Sequence, residues 1–380
     1  MVKIGADRID EYSGLFTGRR IGLVTSISGV DKRMRSTIDN INERYCLSAL
    51  FAPEHGVRGN VGAGESVEEY LDPYTGVPVY SLYRKDSKKI TPQMAENIDM
   101  LVYDIQDLGV RYYTFISTMY YAMQACEMHQ KEMVILDRIN PLGDKVEGNI
   151  IQKEYESFVG AYPLAMRYGL TCGELAEMIY QEQAYSFPMH IIPLEGWKRT
   201  MMFPDTGNIW IMPSLGMPCF STALVYPGTC LFEGTNLSEG RGTSAPFELI
   251  GAPFVDAYHF SSFMNRKKLP GVMFSPAYFT PSSSKYEKEA CEGVHIHVTD
   301  YRLFDAVVTG AELLFAFRDC YGKEFQFLPP HRENGRRSIE LLFGNSHILD
   351  EKYSIEDLKE DVYHDSALFY ERKKKYHRYD

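Results

Sequence analysis

Short apolar runs alternate with longer amphipathic stretches through the first half of the chain. Residues 21–25, 45–52, 78–82, 100–103, 133–136 and 190–194 are apolar runs of strand length. Residues 36–44, 113–130 and 171–183 suit helices. Thr91-Pro92 is a helix start, an N-cap followed by proline at the first helical position. Thr171 and Glu174 frame a capping box. Strands separated by helices predict βαβ units with right-handed crossovers and a mostly parallel, Rossmann-like sheet. No GxGxxG follows the first strand, so no dinucleotide is implied. Near 212–218 proline and glycine cluster, and the boundary is placed there, giving domains at 1–215 and 216–380. The second part begins with a Gly-rich segment, 228–242, and mixes a strand at 294–298 with a helix at 306–317. The predicted class is therefore α/β, a Rossmann-like domain followed by a smaller α+β domain.

The strand ends carry the candidate chemistry. In an open α/β sheet, ligands bind beyond the carboxyl ends of the strands. The second strand ends in Glu54, His55 and Arg58, the fourth in Asp104, Gln106 and Asp107 with Arg111, and the fifth in Asp137, Arg138, Ile139 and Asn140. Three clusters on one edge of one sheet are expected to converge in a crevice. Glu54 is the strongest candidate, because a carboxylate directly after a buried strand is partly desolvated and suits a general acid. Each of the others has a structural alternative: Asp137 as a helix cap or as a partner of Arg138, Asp104 and Asp107 as turn formers, His55 as a bonded core histidine. A fourth cluster spans 233–243, with Asn236, Ser238, Glu239 and Arg241 among glycines that let backbone approach a ligand. A structural loop is the alternative there. Arg167, beside Tyr168, suits bidentate recognition of a carboxylate.

Composition narrows the classes. The chain has 380 residues, 44% of them apolar and 24% charged, which fits two globular domains. A formal net charge of −11 argues against a nucleic-acid partner. Twenty-seven tyrosines fit a cleft that handles sugars or peptides, although tyrosine also serves cores. The seven cysteines lack CxxC spacing and read as free thiols. Lys373, Lys374 and Lys375 read as a solvated tail or helix end. No apolar stretch reaches membrane-spanning length, and the N-terminus lacks a signal-peptide core. A periplasmic or cell-envelope location is expected if a natural leader was removed, and a cytoplasmic one otherwise. GxSxG, HExxH and Walker motifs are absent. His55, Asp104, Asp107, Asp137, His295 and His297 supply metal-ligand types without ligand spacing, so neither metal nor cofactor is predicted.

These motifs together resemble the exo-β-N-acetylmuramidase (NamZ) family. The likeness rests on FAPEHGVRG at 51–59, DIQDLGVRYYTFIST at 104–118 and LDRINPLG at 136–143. VEG at 146–148, EGW at 195–197 and the long run YPGTCLFEGTNLSEGRGTSAPFELIGAP at 226–253 extend it over nearly the whole chain. The resemblance implies a glycosidase that releases terminal N-acetylmuramic acid from the non-reducing end of peptidoglycan fragments, with a cleft between the two domains. It implies that Glu54, in the PEHG motif, is the catalytic glutamate. His55, Asp104, Gln106, Arg111, Asp137, Asn140, Glu239 and Arg241 carry over as cleft residues. The family pattern has Arg-Pro-Asn-Pro where this chain has Arg138-Ile139-Asn140-Pro141, and Arg-His-Gly where it has Arg167-Tyr168-Gly169. Tyrosine cannot become a cation as histidine can, which removes a charge role from position 168.

Glycoside hydrolysis normally needs two carboxyls flanking the scissile bond. Glu54 is the expected acid, and Glu239, Asp104 and Asp137 are candidates for its partner; substrate assistance by an acetamido group stays open. The lactyl carboxylate of the sugar needs a cation, for which Arg58, Arg111, Arg138, Arg167 and Arg241 are available. Two alternatives remain: a non-catalytic muropeptide-binding protein and a metal-dependent hydrolase using the same cleft. The oligomeric state is open.

Overall fold

The computed structural model describes residues 1–59, 69–85 and 87–380. A short helix α1 (Ser13–Phe16) precedes the sheet strands β1 (Arg20–Thr25), β2 (Cys46–Ala52), β3 (Tyr70–Leu71), β4 (Pro78–Ser81), β5 (Met100–Asp104) and β6 (Glu132–Leu136). An antiparallel pair, β7 (Glu147–Ile150) and β8 (Ala165–Arg167), comes before the last sheet strand, β9 (Met189–Ile192). The seven-stranded order is β3-β4-β2-β1-β5-β6-β9, parallel throughout except at the β3 edge. Its six parallel strands follow the doubly wound order, which reverses between β1 and β5.

The central strands are apolar on both sides because both faces are covered. Val24, Phe51, Leu101, Tyr103 and Ile135 enter one core, while Leu23, Leu50, Val102, Val134 and Leu136 enter the other with Ile4, Ile9 and Phe16. That division is the period of two expected of a strand. The covering helices begin where the sequence predicts. α2 (Thr37–Arg44) is capped by Ser36 and α3 (Pro92–Glu96) by Thr91. Next come α4 (Phe115–His129) and α5 (Cys172–Glu182), the latter opened by the Thr171–Glu174 capping box.

The second domain holds α6 (Phe220–Thr229), α7 (Ala257–Arg266), α8 (Ala306–Tyr321), α9 (Ser338–Phe343) and α10 (Ile355–Lys373). Its strands β10 (Leu249–Ala252), β11 (Val272–Phe279) and β12 (Cys291–Val298) form an antiparallel sheet in the order β10-β12-β11. Helices α6 and α8 cross backbone to backbone. A Cβ at Gly228 would lie 1.9 Å from the Ala306 carbonyl oxygen, so only glycine permits this approach. The crossing sets Tyr226, two residues earlier, against the domain seam.

The lysine run sits at a helix end, the close of α10, with Lys374 and Lys375 exposed; only Lys373 departs from the expectation. Lys373 is not solvated; its fully buried ammonium donates to the Asp144 and Gly169 carbonyls at 2.7 and 2.6 Å. Burial pulls it down to about 7.

Arg111 ties the domains together. Fully buried, it donates through Nη1 to the carbonyls of Asn149 and Leu164, and through Nη2 to those of Leu342 and Phe343 in the second domain. Burial pulls this guanidinium down to about 10, so it remains charged at neutral pH. Replacing it takes a donor from four buried carbonyls, of which Leu164 keeps the Ile151 N–H. Arg111→Leu is expected to cost about 3 kcal/mol or more, since each unpaired buried polar group costs about 1–3 kcal/mol. Urea denaturation measures this, and an unchanged midpoint would contradict the assignment.

Candidate active site

Strand β2 delivers Glu54 to the seam. Pro53 cannot extend the ladder, and a turn follows at once, closed by the Gly56 N–H on the Pro53 carbonyl at 3.1 Å. His55 takes φ 73° and Gly56 φ 75°. A left-handed histidine is strained by about 1–3 kcal/mol, and such strain gathers at functional sites. The turn leaves Glu54 half-buried. The Thr114 hydroxyl donates to its Oε2 at 2.9 Å, and the Tyr83 hydroxyl hydrogen-bonds the same carboxylate. Burial first, then the charge and hydrogen bond of Glu54, push Tyr83 up to about 12, so that hydroxyl keeps its proton. The His55 ring stands edge-on to Phe115 with centroids 6.4 Å apart.

A cleft of about 610 Å³ opens before Glu54 and His55. Its far wall is the Gly-rich segment of the second domain, and it carries four charges: Glu233, Glu239, Arg241 and Lys285. Arg241 donates to Glu233 Oε1 from Nε at 3.1 Å and from Nη2 at 2.6 Å, and its Nε lies 3.5 Å from Glu239. Lys285 Nζ sits 2.8 Å from Glu239 Oε2, yet its hydrogen bonds go to the carbonyls of Phe232, Thr235 and Leu237. The contact with Glu239 is therefore charge attraction without a hydrogen bond. Glu239 is buried, whereas the Glu233 side chain is 31% exposed. Burial pushes the Glu233 carboxyl up, Arg241 draws it back, and the adjacent Glu239 pushes it further up. The floor is aromatic: Tyr226 meets Tyr112, Tyr113 and Phe247 edge-on. Two oppositely charged pairs over an aromatic floor suit a polar ring bearing an acid group.

Of the residues singled out in the sequence, Glu54, His55, Glu239 and Arg241 line this cleft. The expected convergence of three strand ends needs correction, because the other two clusters turn inward. Arg138 grips Asp104 through Nε at 2.6 Å and Nη2 at 2.9 Å, both residues buried, which joins the ends of β5 and β6. Gln106 bonds the carbonyls of Asp107 and Ile139. Asp107 accepts from Gly109 N–H and from the Tyr168 hydroxyl, which explains what a tyrosine does at that position. Asp137 takes the capping alternative, accepting from Gly173 N–H and the Thr171 hydroxyl at the start of α5. Asn140 spans Leu142 N–H and the Leu170 carbonyl. Arg167 pairs with buried Glu147, whose second oxygen accepts from the first N–H groups of α8. Arg58 grips buried Asp72 and lies over the Tyr74 ring, and Asn236 bonds the backbone of Glu324 and Gln326. In each case the polar group bonds a neighbouring segment and not the cleft.

The sequence reasoning missed Tyr83, Tyr112, Tyr113, Thr114, Tyr226 and Lys285 in the cleft, and placed Glu233 in the Gly-rich cluster without a role of its own. The abundance of tyrosine was the available signal for four of these. Gln106 and Arg138 instead line a second, smaller cavity of about 60 Å³ at the sheet edge. Among the described residues no three His, Cys, Asp or Glu side chains group to hold a metal ion. All seven cysteines are free thiols.

Fold and site together define a two-domain, Rossmann-like α/β protein with an acid-lined cleft at its seam. The chain belongs to the exo-β-N-acetylmuramidase NamZ family: the N-terminal family model matches residues 21–221 and the C-terminal one residues 224–379. It is 42% identical to a peptidoglycan β-N-acetylmuramidase NamZ of Bacillus subtilis, over 99% of this chain and 91% of the relative. Two crystal structures of DUF1343 family proteins from Bacteroides fragilis share the fold, each aligned over 100% of this chain and 99% of theirs. Their TM-scores are 0.90 and 0.80, at 36% and 28% identity.

Asp107 gives the inward-turned edge a pH signature. Burial raises its carboxyl from near 3.8 to about 6. As pH rises through that window the unfolded chain loses this proton first, so the folded state loses stability relative to acid pH. Asp107→Asn stays neutral and is expected to gain on the wild type between pH 4 and pH 7. Urea midpoints of both proteins at the two pH values measure this; a pH-independent difference would contradict it.

Proposed function

We propose that this chain is an exo-acting β-N-acetylmuramidase, a glycosidase that releases terminal N-acetylmuramic acid from the non-reducing end of peptidoglycan fragments. Glu54 is its proton-transfer residue and expected general acid. One observation carries the assignment: Asp104, Asp107 and Asp137 are spent on internal bonds, while Glu54, from the same sheet edge, faces the cleft. Thr114 and Tyr83 hold its carboxyl in one orientation.

The partner carboxyl comes from the Gly-rich wall. Glu239 is buried between Arg241 and Lys285 and fixes both cations. Glu233 is the more exposed carboxyl of that wall and reaches the substrate side of the cleft. Arg241 is the cation available to hydrogen-bond the lactyl carboxylate; Lys285, whose three N–H groups go to backbone carbonyls, adds only its charge. His55, held in its turn, adds a polar edge beside Glu54.

Glu54→Gln keeps the shape and the acceptor oxygen but cannot transfer a proton. It is expected to fold and to lose about 10²–10⁴-fold in kcat toward a chromogenic N-acetylmuraminide. The wild type is expected to hydrolyse the muraminide and leave the matching glucosaminide intact. Full activity in Glu54→Gln would remove the assignment, and saturable binding without turnover by the wild type would make the protein a binder.

A further inference from the structure

Outside the cleft, aromatic rings continue from Glu54 along the protein surface. Tyr83, which holds Glu54, has its ring centroid 5.6 Å from that of Phe158, and Phe158 lies 6.0 Å from Tyr121. The three come from different segments: the end of β4, the β7–β8 connection and the second turn of α4. All three are half-buried, unlike the fully buried tyrosines of the cleft floor. Tyr83 and Phe158 border the cleft and Tyr121 lies beyond it. Two lysines flank the row. Lys88 Nζ stands 3.1 Å from the Tyr83 centroid and 5.5 Å from that of Phe158, and Lys89 Nζ is 5.9 Å from Tyr121.

A row of partly exposed rings is costly to leave in water and rarely serves folding alone. Aromatic faces with polar edges suit the apolar faces of pyranose rings, and ammonium groups beside them suit carboxylates. Neighbouring rings here are spaced on the order of one sugar unit. An exo-acting enzyme holds one terminal sugar in its closed pocket and must let the remaining glycan leave past the catalytic group. Continuity with Glu54 and the flanking positive charge identify that glycan as the occupant.

We propose that Tyr83, Phe158 and Tyr121, with Lys88 and Lys89, form an acceptor-side glycan strip. It takes the saccharide on the leaving-group side of the scissile bond, with the lysines meeting the acidic substituents of the next muramic residue. This rests on the muramidase reading, and it adds that the enzyme favours oligosaccharides over disaccharides.

The test compares wild type with Tyr121→Ala and Lys89→Ala, both outside the cleft. A chromogenic N-acetylmuraminide puts only one aryl ring on the leaving-group side, beside Glu54 and short of Tyr121, whereas a muramyl-terminated tetrasaccharide extends along the strip. KM for the tetrasaccharide should rise about tenfold in Tyr121→Ala and severalfold in Lys89→Ala, with kcat unchanged. Both constants for the chromogenic substrate should stay at wild-type values. Equal KM for the tetrasaccharide in all three proteins would overturn the strip while leaving the muramidase reading intact. Proportional losses on both substrates would also overturn it, assigning these residues to folding. Failure of the wild type to hydrolyse either substrate would remove both proposals.

Discussion

A guanidinium taken out of water keeps its charge, so its surroundings must supply acceptors. Arg111 meets that constraint by bonding carbonyls from both domains at once. The cleft depends on it, because Glu54 is presented by one domain and Arg241 and Lys285 by the other. Arg167 and Glu147 repeat the device, with a buried pair in the first domain capping helix α8 of the second. A seam fixed by buried charges resists sliding, since displacement would leave those charges unpaired in a medium of low dielectric.

The same rule explains the sheet edge. Beyond β5 and β6 the chain runs close to α2, α5 and the C-terminus, and those neighbours offer donors. Asp104 meets Thr37 and Arg138; Asp137 meets Thr171, Gly173 and the Tyr379 hydroxyl. Glu54 leaves β2, on the other side of the switch point from β5 and β6, where the chain faces the second domain across open space. Identical chemistry at three strand ends therefore has two destinations, decided by what packs against each.

Period and capping made most of the first domain legible. The apolar runs, the Thr91 and Thr171 caps and the parallel sheet follow from local spacing, which nearby residues determine. Helix α6 went unpredicted because Pro227 and Gly228 are helix breakers in sequence, yet they serve a close helix crossing. Glu54 could be recognised because a carboxylate between a buried strand and a glycine turn has few structural uses. Arg111, Arg138 and Arg167 looked the same in sequence as a ligand-binding arginine. Their partners, at Leu342, Asp104 and Glu147, are distant in the chain, so no local pattern reveals them. Lys285 was missed, and Glu233 given no role of its own, for the converse reason: their roles arise only when the second domain closes over β2.

The seam cleft, and not the sheet-edge cavity beside Gln106 and Arg138, is the proposed sugar site. A crystal structure of Glu54→Gln bound to a muramyl-terminated disaccharide tests it most directly. The muramyl ring is expected between residue 54 and the Glu233–Arg241 wall, with its lactyl carboxylate on Arg241. Density for that ring at the sheet-edge cavity, with the seam cleft empty, would contradict it.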